Sequence, residues 1–63
     1  MSLLDKYGEL KNKVQGVGNN NAQEVQKRLD WLLERLNECL LYENISEAHL
    51  IYLEQYFTDT FRI

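Results

Sequence analysis

Residues 21–42 read NAQEVQKRLDWLLERLNECLLY, and this stretch decides the fold. It contains neither glycine nor proline, and Val25, Leu29, Leu32, Leu36 and Cys39 follow one another at steps of four, three, four and three. That spacing holds side chains on one face of a 3.6-residue helix. Leu33 and Leu40 widen the face beyond about 100° of the circumference, so the helix must touch more than one neighbour and is the central element. Asn21 followed by Glu24 has the form of a capping box, which sets the expected helix at 22–42.

Downstream, Tyr42-Glu43-Asn44-Ile45 makes a short turn and Ser46 supplies an N-cap. Ile45 and Leu50 flank the cap as a hydrophobic staple does, and a third helix is expected over 47–61. So short a connection forces an antiparallel hairpin. Leu50, Leu53, Phe57 and Phe61 form the stripe expected to face the central helix. Tyr52, Tyr56 and Ile63 form a second stripe, roughly a third of a turn away.

Upstream, Gly16-Val17-Gly18 and Asn19-Asn20-Asn21 make the one linker, residues 16–21, because glycine and asparagine tolerate the left-handed conformations that close a helix. Before it, Ser2 can cap a first helix over 3–15 together with Asp5, and Leu3, Tyr7, Leu10 and Val14 make a single seam. Gly8 lies off the seam and weakens this helix by about 1 kcal/mol relative to alanine. The expected fold is all-α: one small three-helix domain over 1–63, helices 2 and 3 an antiparallel hairpin, helix 1 packed across it within the chain or in a dimer.

Length limits what such a chain can be. At 63 residues it buries only about 60% of its unfolded surface on folding, so it needs either a staple or a partner. One cysteine, Cys39, and one histidine, His49, can build neither a disulfide framework nor a four-ligand zinc site, and no metal or cofactor is expected. The lone cysteine and the absence of a secretory leader point to a reducing, cytoplasmic setting. No apolar run approaches the about 20 residues that span a bilayer, so a soluble protein without a membrane partner is expected.

The formal net charge of −3 is uneven. Lys6, Lys11 and Lys13 lie in the first third, whereas residues 22–63 hold eight acids against four basic residues. A surface of that sign repels phosphate backbones, which argues against nucleic acid. A helix-turn-helix reading of the hairpin fails for the same reason, since Glu47, Glu54, Asp59 and Arg62 are the wrong charges for a recognition helix.

Trp31 falls on the helical wheel almost opposite the Leu29/Leu36 centre, among Lys27, Arg28, Arg35 and Glu38. Large aromatics dominate interface energetics, and Arg35, one turn on, can stack on the indole. The bland alternative is that helix 1 or a symmetry mate covers Trp31 as ordinary core. The tyrosine stripe poses the same choice, with helix 1 or a second copy as its cover. Trp31, Arg35, Tyr52, Tyr56 and Ile63 are therefore the expected partner-binding residues.

Other patterns carry less. Cys39 and His49 stand at similar heights beside the turn, so a thiolate–imidazole pair is conceivable, but Cys39 sits in the core seam and no third orienting group accompanies it. Asp30, Glu34 and Glu38 form a ridge that could mimic phosphates or hold a divalent ion, yet the interleaved Lys27 and Arg35 favour a plain solvated surface. Glu9–Lys13 and Glu24–Arg28 have the spacing of helix-stabilising ion pairs. Asn44-Ile45-Ser46 spells a glycosylation sequon, but Ser46 is better explained as the cap. The functional expectation is a non-catalytic regulatory or adaptor protein that binds and modulates a partner protein through exposed aromatic helix surfaces; the alternative is a self-assembling helical structural subunit, a homo-oligomer and most simply a homodimer, with no foreign partner, and a cysteine-dependent enzyme is a distant third.

Overall fold

In a computed structural model of the chain, residues 2–18 and 20–61 are described, and they form three helices: α1 (Leu3–Gly16), α2 (Gln23–Leu41) and α3 (Glu47–Thr60). Each lies within a residue of its expected bounds. Ser2 and Ser46 act as the expected caps, their hydroxyl oxygens accepting from the backbone N–H of Asp5 and of His49, each at 3.2 Å. Each bond satisfies one of the donors that the first turn of a helix leaves open.

The start of α2 departs from expectation. Its N-cap is Ala22, and no side chain caps it. The Asn21 amide instead donates to Gly18 O at 3.1 Å and to Gln26 Oε1 at 3.2 Å. Gly18 adopts a φ of 80°, and the asparagine is spent closing that turn onto α2.

At the other end of α2 the chain turns on a residue that sequence reading passes over. Glu43 takes a φ of 53° while Asn44 N–H donates to Cys39 O at 3.1 Å, which is a Schellman closure built on a side-chain-bearing residue. Among the described residues Glu43 is the one non-glycine with positive φ.

The core forms where the three seams meet. Tyr7, Leu10 and Val14 of α1, Leu29, Leu32, Leu36 and Cys39 of α2, and Leu50 and Leu53 of α3 are buried, with Leu3, Val17, Val25, Leu33, Leu40, Ile45, Tyr56 and Phe57 packed around them. Burying a leucine fully is worth about 1.5–3 kcal/mol, and Leu32, Leu36 and Leu53 are all fully enclosed. The first helix folds back within the chain and packs on both others. It takes the Leu29/Leu33 side of α2, where Val14, Gln15 and Gly18 face Gln26, Leu29, Asp30 and Leu33 across a shallow depression.

One long-range pair of hydrogen bonds fastens this arrangement. The Tyr7 ring is wholly buried, its hydroxyl donates to Ser46 O at 2.8 Å, and the same oxygen accepts from Ser46 N–H at 3.2 Å. A single phenol thus ties α1 to the turn that opens α3.

The expected stripe on α3 needs one change. Phe57 is half-buried and Phe61 is 44% exposed, while Thr60 occupies a buried place, its hydroxyl donating to Tyr56 O at 2.8 Å. The cause is helical drift: steps of four advance the side chain by about 40° each, so Phe61 has rotated off the seam, whereas seven residues from Leu53 to Thr60 return almost to register. The Phe57 and Phe61 rings meet edge to face, 5.4 Å apart.

Candidate functional site

The broad apolar arc of α2 is shared between two neighbours. With α1 on the Leu29/Leu33 side, α3 lies against the opposite flank, and Trp31 projects beside it rather than away from the protein. Its ring meets Tyr56 of α3 with centroids 4.8 Å apart at a tilt of 40°. The Arg28 guanidinium lies over the other aromatic, 5.0 Å from the Tyr56 centroid, and that of Arg35 stands 5.9 Å from the Trp31 centroid. Arg28, Tyr56, Trp31 and Arg35 therefore form a ladder along the α2/α3 seam, two rings in contact with a cation at each end. Cation–π contacts of this kind contribute about 0.5–1 kcal/mol each where exposed.

The ladder remains at the surface. Trp31 keeps 39% of its area exposed and Tyr52, one turn from Tyr56, keeps 54%. The tyrosine face is thus covered neither by α1 nor completely by α2. His49 extends it, its ring stacked on Tyr52 with centroids 6.3 Å apart. Ile63, the last expected member of the stripe, lies outside the described residues.

Charges are placed selectively around these rings. Arg35 pairs with Glu38 at 2.9 Å, the one ion pair among the described residues. The spacing of Glu24 and Arg28 offered another, but the Arg28 guanidinium is turned to Tyr56 instead. It makes no hydrogen bond or ion pair among the described residues, which leaves its donor fork available to an incoming acceptor. Glu9 and Lys13 do not pair either. The carboxylate ridge is partly engaged by neighbours, Asp30 accepting from Gln26 at 3.0 Å and Glu38 from Arg35. No group of three or more His, Cys, Asp or Glu side chains is placed to hold a metal ion among the described residues.

The Cys39 thiol is buried and its pKa is raised, chiefly because burial disfavours the thiolate; Glu38 adds to the rise and Arg35 opposes it. The His49 ring lies over Tyr52. Such a thiol is a poor nucleophile, since reactivity follows the thiolate fraction. Alkylation of Cys39 in the folded protein is expected to be slow and to accelerate when denaturant unfolds it; rapid labelling without denaturant would contradict this placement.

Sequence reading identified Trp31, Arg35, Tyr52 and Tyr56 but treated Trp31 and the tyrosines as two patches and did not include Arg28 or His49. The signal that joins them was present: Trp31 and Tyr56 are equidistant from the middle of the Tyr42–Ile45 turn, so an antiparallel hairpin sets them level. The role of Arg28 was missed because its spacing to Glu24 offered a simpler partner. No helix among the described residues is long and apolar enough to cross a membrane. The chain matches no protein-family model, no curated protein and no solved structure.

Proposed function

We propose that the chain is a small, non-catalytic regulatory or adaptor protein that acts by docking another protein on the α2/α3 ladder face. The observation that carries this reading is the Trp31–Tyr56 contact, flanked by Arg28 and Arg35 and left open to solvent. Tryptophan, tyrosine and arginine are the residue types that concentrate binding energy at protein interfaces: the aromatics bring large area with few rotatable bonds, and arginine brings a planar fork of donors that stacks on rings. The free, buried cysteine suits a reducing compartment, which favours the cytoplasm.

Affinity capture from the native host lysate, run with the wild-type chain and with Trp31→Ala, tests the reading. A set of proteins retained by the first and lost by the second is expected. Identical recoveries would remove Trp31 and the ladder as a foreign contact.

A further inference from the structure

The flank of α2 that borders the ladder carries Glu24, Arg28, Trp31, Arg35, Glu38 and Tyr42, at steps of four, three, four, three and four. On a helix these positions share one stripe, on the far side of Leu32 from α1. Their order is matched about residue 33: Trp31 and Arg35 are equidistant from it, and so are Arg28 and Glu38. We propose that this stripe binds a second copy of the chain, the two α2 helices running antiparallel about a two-fold axis at the level of Leu33. This rests on the reading of the ladder as a docking surface: the second copy occupies the face when no foreign protein does, and the two compete for it.

In that register each Trp31 lies level with the partner's Arg35 and each Arg28 with the partner's Glu38. Both pairs are attractive, one cation over ring and one cation with carboxylate, and the two-fold repeats each of them. A parallel pairing would set Arg28 against Arg28 and Glu38 against Glu38, so charge selects the antiparallel one. The groups are accessible: Arg28 makes no ion pair among the described residues, Trp31 is part-exposed, and Tyr42 at the end of the stripe and Tyr52 beside it are largely exposed. A standard interface takes about 800 Å² from each partner. That is roughly a sixth of the 4650 Å² this chain exposes, and a 19-residue helix face bordered by Tyr52 and Tyr56 is of that order. Within one chain Glu38 is held by Arg35; on pairing it lies between that arginine and the partner's Arg28.

Charge exchange tests the register. Sedimentation equilibrium of the wild-type chain is expected to approach twice 7.5 kDa, while R28E and E38R, each still helical by circular dichroism, weaken association at least about tenfold. Mixed in equal amounts, R28E and E38R restore both charge pairs and hence the dimer, as does the doubly exchanged chain. A wild-type chain that stays at 7.5 kDa up to near-millimolar concentration overturns the proposal, and so does a mixture that associates no better than its components. These outcomes are independent of the capture experiment. A monomeric wild type that still loses partners on Trp31→Ala sinks the second copy and keeps the docking face, whereas a restored mixture with unchanged capture leaves the second copy as the occupant.

Discussion

Tyr7, where α1 meets the turn before α3, and Tyr56, on the seam between α2 and α3, present the same phenol to different surroundings. The Tyr7 hydroxyl both donates to and accepts from the Ser46 backbone, with its ring fully enclosed. The Tyr56 ring is half-buried between Trp31 and Arg28, and its hydroxyl has no hydrogen-bond partner among the described residues. A polar tip satisfied inside the molecule stabilises one arrangement of helices, because breaking it strands the partly buried phenol and the Ser46 N–H. A tip left to water can be desolvated or bonded by an incoming surface. The difference separates a closed side that holds the fold together from an open side whose polar tip is left to solvent.

The largest effect is expected where the closed side is emptied. Tyr7→Ala removes a fully buried ring together with its two hydrogen bonds and should cost about 3–5 kcal/mol, comparable to the whole stability of a chain this size. Urea unfolding followed by circular dichroism measures it, and a loss under about 1 kcal/mol would place the anchoring of α1 elsewhere. A gain is expected at the turn that closes α2. Glu43 holds a left-handed conformation that glycine adopts without penalty, so Glu43→Gly should stabilise by about 0.5–1 kcal/mol in the same assay. A destabilised variant would show that the Glu43 side chain contributes more than its backbone strain costs. On the open side, Tyr52→Ala should leave stability within about 0.5 kcal/mol of wild type. A larger loss would make the tyrosine face part of the core and blur the distinction.

How much of this could be read from the chain follows the range of the forces involved. Helix positions, both serine caps and all nine apolar core residues are set by local spacing and appear in the sequence as periodicity, and the aromatic end of α3 is where that periodicity misleads. Phe61 and Thr60 exchanged roles because a four-residue step drifts around the helix, which a list of apolar residues hides. Asn21 looked like a cap, but the nearby carbonyl of Gly18 competed for its amide. The Tyr7–Ser46 bond joins residues 39 apart in sequence, and no local pattern announces it. The ladder lies between these cases: its residues were visible, but their union depends on which flank of α2 each neighbour takes, and that is decided by packing.

The most direct test removes one oxygen from each side. Tyr7→Phe and Tyr56→Phe delete the same hydroxyl, and their urea midpoints can be compared at low micromolar chain concentration, where association adds little. Tyr7→Phe should lose about 1–2 kcal/mol, since the Ser46 N–H loses its partner and the Ser46 carbonyl keeps only the bond from Leu50 N–H, while Tyr56→Phe stays within about 0.3 kcal/mol of wild type. Equal losses, or the larger loss in Tyr56→Phe, would contradict the division of the molecule into a closed side that holds the fold and an open side that contributes little to it.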